Sequence, residues 1–347
     1  MKNEHAKQQE ATSPLRIVFM GTPEFAVPSL ERLVEAGYRP VAVVTGPDRP
    51  RGRGQRVQPT PVKEAALRLG LSPILQPESV RDPAFARAIA DLRPDVIVVV
   101  AFKILPPEVY TQARLGAFNL HASLLPRYRG AAPIHRAIMA GETETGVTTF
   151  FLRPEVDTGE IILQKRTPIG PEETAGELHD RLMHLGAEAV LETVRLIERG
   201  EAHPRPQDDS QVTLAPKLTR EEARVPWDRP ARVVHNHIRG LSPHPGAWTM
   251  HGDRLLKLYR SRLAEGEGPP GTVLEADDRL VVACGEGAVE LLELQQEGRF
   301  RPMHSCAAIR SAPAIGCTEP FPKANVSTRK ARVSFLLIAP GFVIVTC

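Results

Sequence analysis

The fold of this chain is decided by Val96-Ile-Val-Val-Val-Ala101, an unbroken apolar run in which most residues are β-branched. β-Branched side chains favour extended backbone. A strand that is apolar on both faces is typical of a parallel sheet covered by helices on each side. We therefore expect this run to be a central, buried strand of a parallel sheet.

Similar apolar runs precede this strand in the sequence. Leu15–Met20 is a short apolar segment closed by Gly21, and Pro40–Thr45 is a second one. Short continuous apolar runs bounded by turn residues are typical of strands buried on both faces. Both segments are therefore predicted to lie in the same sheet as the central strand.

Helix-start signals alternate with these strands. Thr22-Pro23, Thr60-Pro61 and Asp82-Pro83 each combine a capping residue with proline at the first helical position. Thr174-Ala-Gly-Glu177 is a capping box that opens a long helix toward Gly200. Strands that alternate with helices predict an α/β domain, doubly wound, with a mostly parallel sheet. Ligands of such sheets bind beyond the carboxyl ends of the strands.

The sequence changes character after the polar, proline-containing segment His203–Ser210, which is typical of a linker. Short alternating runs follow, and several closely spaced short strands predict a small β-barrel. These strands are expected at Ala247–Met250, Leu255–Tyr259, Gly271–Glu275, Leu280–Cys284 and Val289–Leu294. The predicted divisions are a disordered N-terminal tail (1–14), a catalytic domain (15–200), a linker (201–216), the barrel domain (217–303) and an atypical tail (304–347).

Composition excludes several classes of protein. A length of 347 residues favours two domains, and 42% hydrophobic with 24% charged residues is typical of a globular protein. A net charge of +3 is too small to indicate a polyanionic partner by itself. We expect no membrane span, no secretion signal and, without Cys-x-x-Cys spacing, no structural zinc site. A cytoplasmic location is therefore predicted.

The candidate catalytic group consists of Asn119, His121 and Asp157. If the first two residues lie on an extended segment, their side chains project from one face, because residues two apart share a face of a strand. An amide donor and an imidazole would then point at one reacting group. Taken singly, such an asparagine or histidine is more often structural, and Asp157 could instead stabilise a turn at Asp-Thr-Gly. The spacing and the shared neighbourhood favour the catalytic interpretation.

Several longer motifs make the chain resemble the folate-dependent formyltransferase family over roughly Leu15 to Met303. The motifs occur in family order, which makes the resemblance more specific than any one motif alone. They are Met20-Gly-Thr-Pro-Glu-Phe-Ala26, Pro47-Asp-Arg-Pro-Arg-Gly-Arg-Gly54, Asn119-Leu-His-Ala-Ser-Leu-Leu-Pro-Arg-Tyr-Arg-Gly-Ala-Ala-Pro133, Val156-Asp-Thr-Gly-Glu160 and Lys217-Leu-Thr-Arg-Glu-Glu-Ala223.

The resemblance implies roles for individual residues. The catalytic asparagine, histidine and aspartate of the family fall on Asn119, His121 and Asp157. The folate-binding loop of the family falls on Ser123, Leu124, Leu125 and Pro126. The implied fold is a doubly wound, Rossmann-like formyltransferase domain followed by a small oligonucleotide-binding-type β-barrel, in agreement with the pattern of strands and helices.

The resemblance also implies a reaction. The family members that these motifs match most closely transfer the formyl group of 10-formyltetrahydrofolate to the α-amino group of methionine esterified to initiator tRNA. Such acyl transfer needs no covalent enzyme intermediate and no metal. The expected partners are therefore the initiator methionyl-tRNA and the folate co-substrate, with neither a membrane nor an obligatory protein partner.

The segment Pro47–Lys63 is the candidate for contact with tRNA. It is polar, rich in glycine and proline, and carries a single acid, Asp48. It follows the second predicted strand, so we expect it at the edge of the sheet that holds the catalytic group. Arginines there could bind phosphates or bases, and a mobile solvated loop is the alternative. The residues concerned are Arg49, Arg51, Arg53 and Arg56, of which Arg53 matches the family's arginine for the acceptor end.

Two departures from the family pattern stand out. Ala101-Phe-Lys-Ile-Leu-Pro106 is one residue shorter than usual and has Lys103 where the family usually has glycine. This segment borders the folate pocket of the family. The residues after about Met303 do not resemble the closing helix of the family.

Three other functions compete with this interpretation. A formyltransferase acting on an amino sugar or a purine precursor would share the asparagine, histidine and aspartate, whereas the arginine-rich segment favours tRNA. A dinucleotide-dependent dehydrogenase is disfavoured because Gly21-Thr-Pro-Glu lacks the Gly-x-Gly-x-x-Gly turn. An RNA-binding module that uses the barrel alone would leave the N-terminal group of polar residues unexplained.

Overall fold

The computed structural model describes residues 14–51 and 56–296, together with the backbone of two short strands near the C terminus. Residues 1–13, Arg53 and most of the predicted tail 304–347 lie outside the described residues. The chain divides into two compact units. The first unit comprises Met1–His121, Val147–Lys165 and Met183–Asp208, and the second comprises Ala122–Gly146, Arg166–Leu182 and Asp209–Cys347.

A seven-stranded sheet forms the centre of the first unit. Its order is β5-β2-β1-β6-β7-β8-β9, and β5, β2, β1, β6 and β7 all run parallel. Strand β8 pairs antiparallel with β7. The seven strands are β1 (Ile17–Gly21), β2 (Ala42–Val44), β5 (Ile74–Leu75), β6 (Val96–Val100), β7 (Ala117–His121), β8 (Glu144–Phe151) and β9 (Ile161–Pro168). Strands β3 (Arg49–Arg51) and β4 (Arg56–Gln58) form a separate two-stranded sheet.

The predicted central strand occupies the middle of this sheet. Every residue of β6 is buried, and Val98 pairs with Phe19 of β1 on one side and Phe118 of β7 on the other. Burial of both faces explains why this strand is apolar throughout rather than alternating. The predicted α/β class with a mostly parallel sheet is confirmed.

Helices follow the strands as predicted. They are α1 (Val27–Glu35), α2 (Pro61–Arg68), α3 (Pro83–Asp91), α4 (Pro107–Tyr110), α5 (Pro133–Met139), α6 (Ala175–Glu198) and α7 (Ala231–Leu241). Thr60 Oγ1 accepts a hydrogen bond from the backbone N of Lys63 at 3.1 Å, and Asp82 Oδ1 accepts one from Ala84 at 2.8 Å. Both predicted caps are therefore confirmed. Among the described helices, none is both long and apolar enough to cross a membrane.

The prediction that Thr22 caps the first helix is wrong. A single 3-10 turn, Glu24–Ala26, precedes α1. The hydroxyl of Thr22 instead accepts a hydrogen bond from the backbone N of Gly46, at 3.1 Å. Its side chain therefore joins the ends of β1 and β2, a long-range contact that a local capping pattern does not reveal.

The second unit contains a five-stranded antiparallel sheet. Its order is β10-β11-β14-β13-β12. The strands are β10 (Ala247–His251), β11 (Arg254–Ala264), β12 (Val273–Ala276), β13 (Leu280–Ala283) and β14 (Ala288–Gln296), with a separate pair formed by β15 (Phe335–Leu336) and β16 (Ile344–Val345). All five strands predicted for the small C-terminal β-barrel are present, and they form one antiparallel sheet.

Helix α7 and this sheet share one apolar core. Val234 and Ile238 of α7 are fully buried together with Leu258 of β11 and Val282 of β13. Trp227, which precedes the helix, packs into the same core and donates its indole N–H to Thr249 Oγ1 at 3.0 Å. The sheet therefore uses its helix-facing side as the core of the unit.

Candidate active site

Strand β7 carries Asn119 and His121 on one face. Phe118 and Leu120 alternate with them and are buried on the opposite face. A Cβ added at Gly186 of α6 would lie 2.6 Å from Leu120 Cδ2, so that helix packs closely on the opposite face. Asn119 is half-buried and His121 is 6% exposed. The strand therefore sets the amide and the imidazole on one side of the sheet, as the spacing predicted.

The neighbouring strands locate this pair at the carboxyl end of β7. Val99 of β6 is the parallel partner of Asn119, and Thr148 of β8 is the antiparallel partner of His121. The Thr148 hydroxyl accepts a hydrogen bond from Gln164 Nε2 at 3.0 Å. The pair thus lies at the edge where α/β sheets bind their ligands.

Asp157 lies in the turn between β8 and β9 and faces His121. Its Oδ2 is 3.7 Å from His121 Nδ1, and the two side chains are 11% and 7% exposed. This separation is longer than a hydrogen bond. Catalytic hydrogen bonds are often long in ligand-free enzymes and shorten when substrate binds. The structure therefore brings the predicted imidazole and carboxylate together in a largely buried setting.

The turn that carries Asp157 has an unusual backbone. Asp157 has a φ of +57°, in the left-handed region that costs a non-glycine residue energy. A Cβ at Gly159 would lie 1.6 Å from the backbone O of Phe151, so only glycine fits there. The base of the turn is closed by a hydrogen bond from Phe151 N to Glu160 O at 3.0 Å. The aspartate is held in a conformation that is uncommon for residues other than glycine.

Gln207 supports this turn and was not among the predicted site residues. Its side-chain nitrogen donates to the backbone oxygens of Asp157 and Gly159, both at 2.8 Å. The residue lies in the segment predicted to be a simple linker. No sequence pattern marks it, because both acceptors are backbone atoms distant along the chain.

The arrangement of Asn119, His121 and Asp157 suits a carbonyl oxygen that becomes negatively charged during reaction. Amide and imidazole N–H groups stabilise such an oxygen when they are fixed before the reaction begins. A carboxylate beside the imidazole orients it and accepts protons. This combination suits acyl transfer to an amine, a reaction that requires no nucleophilic side chain.

Ser123, Leu124, Leu125 and Pro126 follow β7 directly in the chain and belong to the second unit. Ser123 is fully buried, and its hydroxyl donates to the backbone O of Arg127 at 2.6 Å. Leu125 is buried, whereas Leu124 and Pro126 are partly exposed. The serine therefore shapes its own loop. A role of this loop in folate binding stays a prediction.

Arg127 and Arg129, which follow the Ser123–Pro126 loop in the chain, both have protein partners. Arg129 is 11% exposed and its Nη2 lies 2.9 Å from Asp209 Oδ1. Its backbone N donates to Thr213 O at 2.9 Å. Arg127 pairs with Glu142. Arg129 therefore ties the segment around residue 213 to its own loop.

The arginine-rich segment forms a β-hairpin of β3 and β4. Arg49 pairs with Gln58 and Arg51 with Arg56 across the two strands. The side chains of Arg49 and Arg56 are exposed, and Arg53 lies outside the described residues. A small hairpin thus presents arginines to solvent, which the loop interpretation did not foresee.

The base of this hairpin is held by a polar network. Lys63 Nζ lies 2.6 Å from Asp48 Oδ2, and Gln76 Nε2 donates to Asp48 Oδ1 at 2.7 Å. The ammonium of Lys63 holds the pKa of Asp48 below its usual range. Lys63 is therefore neutralised locally and is not part of the exposed basic surface of the hairpin.

The shortened segment 101–106 has its own distinctive geometry. Ala101 has a φ of +47°, and Lys103 Nζ donates to Glu78 O at 2.9 Å. The segment also lines a surface cavity of about 670 Å³ together with Arg87 and Pro154. Among the described residues, no group of three or more histidine, cysteine, aspartate or glutamate side chains comes together as a metal site.

Both parts of the chain match known protein families. Residues 15–194 match the family described as formyl transferase. Residues 217–310 match the C-terminal domain described for formyl transferases. The first match alone spans more than half of the chain.

The chain is similar to several bacterial proteins named methionyl-tRNA formyltransferase. The protein from Chlorobium luteolum is 56% identical over 304 residues, covering 85% of this chain and 96% of the relative. The protein from Caldanaerobacter subterraneus is 49% identical, covering 82% of this chain and 93% of the relative. The similarity thus extends over nearly the full length of these relatives.

Solved structures share the fold at low sequence identity. An N-formyltransferase from Helicobacter canadensis, in complex with folinic acid and dTDP-3-aminofucose, has a TM-score of 0.61 and 18% identity, covering 80% of this chain and 98% of that one. A methionyl-tRNA formyltransferase from Clostridium thermocellum has a TM-score of 0.51 and 15% identity, covering 73% of this chain and 95% of that one. At such identities the likeness establishes the fold alone.

Proposed function

This chain belongs to the formyl transferase family, and we propose that it formylates the α-amino group of initiator methionyl-tRNA with 10-formyltetrahydrofolate as donor. Relatives that are about half identical to this chain over most of its length are named methionyl-tRNA formyltransferase. A product of this kind serves the initiation of translation, which implies a cytoplasmic location.

The reaction exchanges one C–N bond for another. A bond forms between the methionyl nitrogen and the formyl carbon, and the bond between that carbon and N10 of the folate breaks. Negative charge develops on the formyl oxygen in between. Asn119 donates an amide N–H to this oxygen, and His121 donates a ring N–H from the same face of β7.

Two protons must move for the exchange to balance. Asp157 accepts the proton that the attacking amine loses, directly or through water, and orients the ring of His121 beside it. His121 supplies a proton toward the leaving nitrogen of the folate. One observation carries this proposal. The largely buried imidazole of His121 lies beside the carboxylate of Asp157 and shares its strand face with the amide of Asn119.

The direct test offers the purified protein methionyl-tRNA, an amino-sugar nucleotide and a purine-precursor amine, each with 10-formyltetrahydrofolate. We expect formylation of methionyl-tRNA in preference to both small amines. His121→Asn serves as the inactive control for each acceptor. Preferential formylation of a small amine, or none with any acceptor, would contradict the proposal.

Recognition of tRNA is assigned to the hairpin of β3 and β4, with Arg49, Arg51, Arg53 and Arg56 as the contacting residues. Exposure of Arg49 and Arg56 supports this assignment, because exposed arginines can bind phosphates. The Ser123–Pro126 loop is assigned to the folate. These assignments rest on motif position within the family.

Salt dependence tests the hairpin. Each lost phosphate contact lowers the slope of log K against log salt by about 0.7 to 0.9. We expect Arg49→Ala and Arg56→Ala to raise the KM for methionyl-tRNA and to flatten its salt dependence, leaving the KM for the folate within about twofold. Arg199→Ala, at an exposed arginine paired with Glu201, is the matched control. Equal losses for both substrates would argue against a role for the hairpin.

The amino-sugar or purine-precursor alternative is not favoured. The Helicobacter canadensis structure, whose complex contains dTDP-3-aminofucose, is only 18% identical, whereas the methionyl-tRNA formyltransferase of Chlorobium luteolum is 56% identical. We therefore propose the acceptor named for the relative with the higher sequence identity, methionyl-tRNA.

A further inference from the structure

We propose that Gln207 is a positioning residue for the reaction, which fixes the turn bearing Asp157 so that the carboxylate faces His121. This inference rests on the proposed function. It assigns a role at the catalytic centre to a residue of the segment that joins α6 to the second unit.

The contacts of Gln207 are aimed at the backbone of the turn. Its single side-chain nitrogen donates both hydrogens, one to Asp157 O and one to Gly159 O, at 2.8 Å each. These two oxygens lie on either side of Thr158. One amide thus brackets the residue after the aspartate and restrains the peptide groups on both sides of it.

The turn needs such restraint because Asp157 has a left-handed backbone. A non-glycine residue at a φ of +57° lies at an energetic disadvantage, so it persists only when its surroundings hold it there. The residues before it, Glu155 and Val156, are exposed. Within the turn, the Thr158 hydroxyl donates to Glu155 O at 3.0 Å. Gln207 adds a fixed point from outside the turn.

The position of Gln207 is itself fixed by main-chain bonds. Two residues earlier, Arg205 pairs with Ile161 of β9, with N–O distances of 2.8 and 2.9 Å in the two directions. The segment therefore runs beside the first residue of β9 before it reaches the turn. Because these bonds already fix the backbone, ordering of Gln207 costs only the rotamer entropy of its side chain.

Rotation of the Asp157 peptide would move the carboxylate away from the imidazole. The present separation of 3.7 Å between Oδ2 and Nδ1 already exceeds a hydrogen bond, so a further displacement would weaken the interaction of the two groups. Misplacement of a catalytic group by about 1 Å can cost about 100-fold in rate. Support of the turn by Gln207 should therefore be felt in the chemical step rather than in substrate binding.

The first test is Gln207→Ala in the full chain, assayed for formylation of methionyl-tRNA. We expect kcat to fall about 10-fold, with the KM for each substrate changed less than about twofold. Gln112→Ala is the matched control. Gln112 follows α4 and also donates its side-chain amide to a backbone oxygen, that of Glu108, at 3.0 Å. Wild-type kcat in Gln207→Ala would overturn the inference.

A double-mutant cycle separates positioning from general structural damage. In the Asp157→Asn background, Gln207→Ala should lower kcat less than about twofold, because the carboxylate that it positions is already absent. If the fold-losses in kcat of the two single variants multiply in the double variant, Gln207 acts independently of Asp157, and the inference is overturned. Wild-type enzyme that fails to formylate methionyl-tRNA would instead refute the proposed function.

Gln207→Glu supplies a second variant of nearly the same size. An ionised carboxylate donates no hydrogen bond and repels the two backbone oxygens, whereas a protonated one donates one bond. At pH 8 the kcat of Gln207→Glu should therefore lie below that of Gln207→Ala. The kcat of Gln207→Glu divided by that of Gln207→Ala should rise as the pH is lowered. Wild-type kcat for Gln207→Glu at pH 8 would contradict the proposal.

Discussion

Asn119-Leu-His121 on β7 and His235-Asn-His237 on α7 both combine asparagine with histidine within three residues, yet the two triplets do different things. On the strand, residues two apart share a face, so the amide and imidazole converge. On the helix, each residue is rotated by about 100° around the axis from the one before it, so the three side chains diverge. Spacing acquires a chemical meaning only through the secondary structure that carries it.

The side chains of the helical triplet are used to hold the second unit together. His235 contacts Ser261 Oγ and Pro171 O, both at 3.1 Å. Asn236 Oδ1 accepts from Arg239 Nε at 2.9 Å, and Arg239 Nη1 donates to Glu173 O at 2.9 Å and Gly170 O at 3.2 Å. These groups satisfy backbone atoms of neighbouring segments. The helical triplet is therefore structural.

The largest expected effect comes from the strand triplet. His121→Asn should lower kcat/KM by about 10²- to 10³-fold, the range found when one stabilising donor is lost. The free energy of unfolding should change little, about 1 kcal/mol or less, because active-site residues are seldom optimal for stability. Formylation rates and denaturant midpoints measure the two effects. Near-normal turnover would break the comparison.

A smaller effect, on stability, is expected from α7. Arg239→Met removes donors to the oxygens of Gly170 and Glu173, which are part-buried contacts. We expect the second unit to lose about 2 to 3 kcal/mol in denaturant unfolding. The kcat of the folded enzyme should stay within about twofold when measured well below the midpoint. A loss of kcat without a loss of stability would reverse the roles assigned to the two triplets.

The smallest effect concerns pH. Burial lowers the pKa of His235, His237 and His251 below the ordinary value of 6.5. Above pH 6.5 these imidazoles are neutral in both the folded and the unfolded chain. Below pH 6.5 the unfolded chain binds protons at these histidines that the folded chain does not bind. Stability should therefore fall by about 1 kcal/mol between pH 7.5 and pH 5.5. In His235→Gln the fall should be smaller, as measured by the denaturant midpoint at each pH. An unchanged fall in His235→Gln would remove this histidine from the explanation.

Much of the fold follows from local sequence. The β-branched run at β6 and the caps at Thr60 and Asp82 act through neighbours in the chain, so their structures were predictable. Thr22 was misassigned because its hydroxyl bonds to Gly46, which lies beyond α1. The hairpin of β3 and β4 was missed because glycine and proline obscure strand signals.

The site divides in the same way. Asn119 and His121 were predictable, since strand alternation alone brings them to one face. The approach of Asp157 to His121 depends on how β8 and β9 fold back, and the contacts of Gln207 depend on the path of a segment fifty residues further along. Bonds to backbone oxygens leave no residue pattern, so such contacts emerge only from the folded structure.

Single-turnover formylation of methionyl-tRNA by Asn119→Ala and Asn236→Ala compares the two triplets at the same residue type. The chemical rate of Asn119→Ala should fall about 100-fold or more, because a donor to the developing oxyanion is lost. That of Asn236→Ala should stay within about threefold of wild type, because its amide serves the packing around Arg239. A near wild-type rate for Asn119→Ala, or equal losses in both variants, would contradict convergence of Asn119 and His121 on one reacting oxygen.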